Sequence, residues 1–260
     1  MTDPRIHPSA IVSARADLDD DVTVGAFSII GDGVTIGAGS TIGPHCVISG
    51  PTRIGRDNHI FQFCSIGEAP QDKKYHGENS TLEIGDRNTI REYCSIHRGT
   101  EEGGGVTRIG DDNWIMAYVH IAHDCQLSNQ ITLANGASLA GHVLLDDRVI
   151  LGGFSLVHQF CAIGTGVFSR MGSAIVQDVP PYVMVAGNVA EAKGINIEGL
   201  KRSGLAHEEL QMVRRAYKVL YRSGLKLQEA VAELQTMASE SPHVELMVEF
   251  LQRTSRGIVR

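Results

Sequence analysis

An aliphatic residue recurs at every sixth position from Ile6 through Val12, Leu18, Val24, Ile30, Ile36, Ile42, Ile48, Ile54 and Ile60 to Ile66. Period six fits neither an amphipathic helix nor an ordinary strand pair, so the chain must build a repeat structure. Six is even, so every anchor leaves its strand on the same side, and that side is the interior. The position two before each anchor also points inward and is small or β-branched, as at Ala10, Ala16, Ser28, Ser40 and Ala137. Three short strands per turn then close a triangular prism of about eighteen residues per coil, each coil bonded to the next about 4.8 Å along the axis. The expected fold class is mainly β: a parallel β-helix with a columnar apolar core.

The ladder resumes at Ile84, Ile90 and Ile96, then runs from Ile109 and Ile115 to Ile163, weakening towards Ile175. Residues 68–80 (EAPQDKKYHGENS) lack the inward pattern, and the thirteen-residue step from Ile96 to Ile109 breaks the phase. Two loops extruded near 68–80 and 98–106 are therefore expected, and loops this long in a strict repeat are usually functional. Beyond Pro180-Pro181 the period is lost. His207 to Ser223, Leu227 to Ser239 and Val244 to Thr254 read as amphipathic helices. The expected organisation is a β-helix over 1–188 and a helical domain over 189–260.

The five cysteines all fall on the small inward position, Cys46 and Cys64 eighteen apart and Cys125 and Cys161 thirty-six apart. Core filling explains them, Cys94 included, better than a metal site or disulfides. No apolar run is long enough to span a membrane, and Asp3, Pro4 and Arg5 at the start carry no signal-peptide pattern, so a cytoplasmic protein is expected. Charge is uneven. Residues 201–260 hold ten Lys or Arg against seven Glu, whereas residues 1–200 hold thirteen against twenty-three Asp or Glu. Arg214, Arg215, Lys218 and Arg222, at helical spacing, suit an acidic partner or else form a solvated face. An acidic chain with a single Trp is a poor nucleic-acid binder.

Eleven histidines are many for 260 residues, and His120, His123, His142 and His158 crowd one stretch. Counting in eighteens sets Gly141 above His123 and Gln159 above Gly141, with His142 and His158 one position to either side of that column. An outward-facing histidine cluster admits two chemistries. Three neutral imidazoles hold a catalytic metal in carbonic anhydrases built on this kind of β-helix. Alternatively one imidazole acts as general base on an acceptor hydroxyl or amine that attacks a thioester, with Asp124 orienting it and a backbone N–H receiving the oxyanion.

The words HIAHDC (120–125), LAGHV (139–143), VHQFC (157–161), IHRGT (96–100), QDKKY (71–75), QDVPPYV (177–183) and NIEGLKR (196–202), in this order and spacing, resemble the UDP-N-acetylglucosamine 3-O-acyltransferases of lipid A synthesis. The likeness covers essentially the whole chain, including the closing segment from Thr254 to Arg260. It implies left-handed winding, a homotrimer with sites between subunits, and transfer of an (R)-3-hydroxyacyl group from acyl carrier protein to the 3-hydroxyl of UDP-N-acetylglucosamine. No cofactor and no metal are implied, since the acyl group travels on the carrier's phosphopantetheine. By the same resemblance His123 is the general base, Asp124 its orienting partner and Gly141 the oxyanion donor. Gln71, Asp72, His120, His142, His158 and Gln159 line the substrate site, while Asn196, Glu198 and Arg202 belong to the nucleotide segment. The basic helical residues Arg214, Arg215, Lys218 and Arg222 become a docking face for the acidic carrier. Met171 occupies a position that is Gly in members using longer acyl chains, which implies a chain near ten carbons. A related N-acyltransferase of an amino-sugar nucleotide remains the alternative.

Overall fold

The computed structural model describes residues 5–254 and 256–260; Asp3 and Pro4 at the start and Ser255 in the closing segment lie outside the described residues. The hexads wind into a left-handed parallel β-helix whose three faces are parallel sheets of two- to four-residue strands. The first face begins at Ile11–Val12 and ends at Ala174–Ile175; the second begins at Asp17–Leu18 and ends at Ala162–Ile163. The third begins at Thr23–Val24 and runs through Phe168–Ser169 to Val183–Ala186. Anchor stacks on anchor throughout, as in Ile30 on Ile48, Ile48 on Ile66 and Ile121 on Leu139.

Burial follows the period. From Val24 upward the anchors are almost completely buried, while Ile6, Val12 and Leu18 in the lowest described coil are only partly covered. All five cysteines are buried and free, and the thiols of Cys46, Cys64, Cys94 and Cys125 point at neighbouring carbonyls, as Cys46 Sγ does at Phe61 O (3.0 Å). Burial raises the Cys125 thiol to about 12, which keeps it an inert core group.

Both interruptions leave the prism at the corner between the first and second faces, in successive coils. Ile54 pairs with Ile84 and Ile84 with Ile109, so the extra chain is extruded without shifting the register. Arg98 pins the first loop from inside: its guanidinium donates to Gly50 O (3.0 Å), Gly67 O (2.6 Å) and the Tyr75 hydroxyl (3.3 Å). Lys74 on that loop pairs with Glu102 on the second at 3.2 Å.

The prism's upper end differs from expectation. Glu191–Ile195 forms a strand antiparallel to Val183–Ala186, so residue 189 falls inside a hairpin that closes the third sheet. Helix α1 (Ile197–Arg202) follows at once, a six-residue turn too short to show a hydrophobic period. Helices α2 (His207–Arg222), α3 (Leu227–Ala238) and α4 (Pro242–Arg253) then pack on one another. Helix α4 begins before the expected Val244 because Pro242 sits at the first helical position, where a missing N–H costs nothing. The closing segment returns to the prism through reciprocal bonds between Asp178 and the strand-like pair Gly257 and Val259, and Arg253 pairs with Asp146. No helix among the described residues is long and apolar enough to cross a membrane.

Candidate active site

The left-handed corner that follows the strand His120–Ile121 carries the histidine cluster. His123 lies two residues past the Ile121 anchor, and Asp124, at φ 62°, turns the chain into the second face. His123 Nδ1 meets Asp124 Oδ2 at 2.7 Å, so an imidazole protonated on Nδ1 presents an unprotonated Nε2 outward. Asp124 is buried, and burial alone would raise its pKa. Hydrogen bonds from His123, from the Thr100 hydroxyl and N–H, and the charge of His142 together outweigh burial and hold the carboxyl below its usual range.

Gly141 lies directly above, as counting in eighteens predicts. A Cβ there would sit 2.6 Å from His123 Cε1 and 2.8 Å from Nε2, so only glycine lets the ring lie against the next coil. No hydrogen bond within the described chain uses the Gly141 N–H. His142 crosses His123 edge to face (5.1 Å, 90°) and stacks on Phe160 (4.4 Å, 11°). Burial lowers the pKa of His142, against the opposing pull of Asp124.

His120 stands one strand earlier, bonded to Ser95 Oγ at 2.8 Å and set edge to face against His97 (5.3 Å, 85°). Burial, then the neighbouring His123, lowers the His120 pKa. His97 is 96% covered, and burial followed by the proximity of His120 depresses it to about 4. Burial thus biases the rings flanking the His123–Asp124 pair towards their neutral form. His123, Asp124 and His142 have ligand atoms within 4.8 Å of one another, a spacing that suits a metal ion. Asp124 Oδ2 already faces donors from His123 and Thr100, however, and Oδ1 accepts from the Thr100 N–H, so both of its oxygens are committed to partners within the described chain.

The remaining expected residues divide into groups. Asp72 lies on the first loop near enough to His142 to influence its charge, and with Lys73, Lys74 and Glu102 it lines a cleft of about 480 Å³; Gln71 is exposed at the loop's base. His158 and Gln159 are exposed, and among the described residues the His158 ring bonds only to the Gln159 carbonyl (3.1 Å), outside the ring contacts of the other histidines. His158 instead lines an apolar groove of about 410 Å³ on the first face, with His120, Ser138, Leu156 and Ala174 stacked along it. Met171, 80% exposed, enters the coil in which this groove ends, but from the opposite edge of the face to His123.

Asn196, Glu198 and Arg202 line a separate cavity of about 410 Å³ over the third face, with Arg148, Tyr182 and His243. Asn196 caps α1 by accepting from the Gly199 N–H (3.0 Å) and donates to Gly166 O (3.0 Å); Glu198 pairs with Lys201 at 3.3 Å. On α2, Arg215, Lys218 and Arg222 are exposed and Arg214 is half-buried, and none of the four makes an ion pair among the described residues. Sequence reasoning passed over His97, Thr100 and Phe160. The eighteen-residue count does stack Phe160 on His142, but Thr100 sits beyond the break in phase, where no count reaches.

A model of the UDP-N-acetylglucosamine O-acyltransferase second domain matches residues 178–259, and one of six bacterial transferase hexapeptide repeats matches 15–50. The chain is 55% identical to the acyl-[acyl-carrier-protein]–UDP-N-acetylglucosamine O-acyltransferase of Herminiimonas arsenicoxydans and 56% identical to that of Janthinobacterium sp. (strain Marseille), each over 98% of this chain and 99% of the relative. Among solved structures, LpxA from Acinetobacter baumannii superposes with a TM-score of 0.97 at 46% identity, over 98% of this chain and all of that one. With identity of this level from end to end and the same prism beneath it, the chain belongs to the acyl-[acyl-carrier-protein]–UDP-N-acetylglucosamine O-acyltransferase family.

Proposed function

We propose that this enzyme transfers an (R)-3-hydroxyacyl group from acyl carrier protein to the 3-hydroxyl of UDP-N-acetylglucosamine, the first step of lipid A synthesis, in the cytoplasm. The observation that carries the chemistry is the His123–Asp124 pair under an open Gly141 N–H. His123 Nε2 takes the proton of the acceptor hydroxyl as its oxygen attacks the thioester carbonyl. The Gly141 N–H receives the oxyanion. Collapse expels the phosphopantetheine thiolate, which recovers the proton from His123. The acyl group arrives already activated as a thioester, so the reaction uses no resident cofactor and no metal.

Asp72 and Gln71 on the first loop, with His120, His142, His158 and Gln159, surround the sugar and the pantetheine arm. Asn196, Glu198 and Arg202 serve the nucleotide, the guanidinium suiting a diphosphate. In one chain these last residues lie over the third face, away from the His123 corner. A single substrate spans both sets only between two copies, which supports a homotrimer. The exposed aromatic corner between the third and first faces, with Phe27, Tyr118 and Phe154, offers apolar surface for that assembly. The unpaired cations of α2 suit the acidic carrier protein. From His120 to Ala174 the groove covers three coils, roughly 14 Å, and Met171 stands where it ends; this length favours an acyl chain near ten carbons.

The test is acyl transfer from a series of 3-hydroxyacyl carrier proteins to UDP-N-acetylglucosamine and to its 3-amino analogue. Transfer to the hydroxyl, fastest near ten carbons and reduced about 10²- to 10⁴-fold by His123→Ala, is expected. Preference for the amine, or full activity in His123→Ala, overturns the assignment.

A further inference from the structure

The second extruded loop ends against the buried side of the catalytic pair. Thr100 donates twice to the Asp124 carboxylate, through its N–H to Oδ1 (2.8 Å) and its hydroxyl to Oδ2 (2.7 Å). Oδ2 is the same oxygen that faces His123 Nδ1. The two bonds grip both oxygens and fix the rotation of a carboxylate whose side chain is fully buried. The rest of the loop is shaped around that grip. Thr100 caps the turn Glu101–Gly103 by accepting from the Gly103 N–H (3.3 Å). A Cβ on Gly99 would lie 2.8 Å from Asp124 Oδ1, and one on Gly103 only 2.0 Å from its Cγ. Beneath, the Asp124 N–H donates to Thr107 Oγ1 at 2.8 Å, so the residue is held at backbone and side chain by the two ends of one insertion.

We infer that Thr100 is a positioning residue: its clamp on Asp124 holds His123 in the Nδ1-protonated tautomer and leaves Nε2 free to accept the proton of the incoming hydroxyl. This rests on the acyl-transfer reading for its consequence, though not for its geometry. Without the hydroxyl, the Oδ1 bond to the Thr100 N–H is the loop's one remaining hold on the Asp124 carboxylate, which pivots about it. The bond from His123 Nδ1 then loosens, and the imidazole proton distributes over both nitrogens. The thirteen-residue step that breaks the hexad phase thereby acquires a purpose, since no hexad could deliver two donors to the inner side of that corner.

The experiment compares wild type, Thr100→Val and Thr100→Ser as intact protein, with histidine labelled in nitrogen-15 and the His123 signals assigned through His123→Gln. Wild type and Thr100→Ser are expected to show the Nδ1-protonated form, and Thr100→Val a mixture of the two tautomers. In turnover, Thr100→Val is expected to lower kcat about 10- to 100-fold, with KM for both substrates within twofold and Thr100→Ser near wild type. Should Thr100→Val not fold, Gly103→Ala, which intrudes on the carboxylate while keeping Thr100, is expected to give the same mixture. An unchanged tautomer in Thr100→Val, or a loss that serine does not restore, overturns the inference. The tautomer is read without substrate, so a wild type that shows the clamp but no acyl transfer sinks the function proposed above and not the clamp.

Discussion

At the corner between the second and third faces, the backbone N–H two residues past the anchor is taken by a side chain of the next coil. Arg56 donates to Asp86 (2.7 Å), Asp86 to Asp111 (2.8 Å), Asp111 to Asn129 (2.8 Å) and Asn129 to Asp147 (2.9 Å), an unbroken ladder of carboxylates and amides. The corner between the first and second faces repeats the backbone geometry: Asp124, His142 and Phe160 turn at φ 61–65°, as Asp112, Gln130 and Arg148 do at 57–58°. There the equivalent N–H belongs to Gly141, and the residue above it is Gln159, which does not cap it. One corner satisfies these four donors with the neighbouring coil, and the other leaves the Gly141 N–H without a partner among the described residues. The prism supplies identical positions, and the residue one coil higher decides whether each is structural or chemical.

The comparison breaks first at Gly141. Gly141→Ala puts a Cβ into the His123 ring, so kcat is expected to fall about 10³-fold while the melting temperature stays within a few degrees, because the added carbon meets one partly exposed side chain and no backbone. A fully active alanine variant would mean that neither the ring position nor the open N–H matters. Gln159→Asp sharpens the same point by transplanting the ladder. A carboxylate at 159 should reach down to the Gly141 N–H as Asp111 reaches Asp86, lowering kcat about 10²-fold, well beyond the loss in Gln159→Ala. Equal losses in the two variants would remove Gly141 as oxyanion donor.

The two corners should also differ in acid. The ladder's carboxylates lie at the surface, whereas His97 lies buried beside the histidine corner, with no partner for its Nδ1 among the described residues. Its folded pKa, about 4, lies below the ordinary 6.5, so the unfolded chain binds this proton first. The stability that follows from keeping His97 neutral is complete above pH 6.5 and is lost as pH falls through 4. About 3 kcal/mol of the acid destabilisation should therefore vanish in His97→Gln. Denaturant midpoints measured between pH 7 and 4 report it; parallel curves for the two proteins would show that His97 plays no part.

How much of this was legible depends on whether a feature keeps the repeat's phase. The Ile and Leu anchors, the cysteine positions and the His123–Gly141–Gln159 column follow from counting, because every coil holds eighteen residues where nothing is inserted. Thr100 is invisible to counting: it reaches Asp124 through a loop whose conformation the hexads do not dictate. The third sheet's last strand, Glu191–Ile195, carries exposed Glu191 and a Gly at 194, so it lacks the alternation that marks a strand. Asn196 reads as a ligand residue by resemblance, yet its amide is occupied at both ends as a helix cap, a role set by where α1 begins. The proposed acyl-length role of Met171 follows from resemblance, but its place across the face from His123 requires knowing which corner each residue turns.

The smallest expected effect tests the structural corner. Asn129 accepts from the Asp111 N–H, donates to Asp147 (3.2 Å) and is exposed and uncharged, so Asn129→Ala removes one rung without altering the charge of the ladder. The freed N–H keeps access to water, which replaces part of the lost bond, and the cost should be about 0.5–1 kcal/mol in denaturant unfolding. Turnover should stay unchanged, because this corner lies across the prism's second face from His123. A rung whose loss lowers kcat without lowering stability would mean that the two corners are coupled through the coil, and that the division between a structural and a chemical edge is drawn in the wrong place.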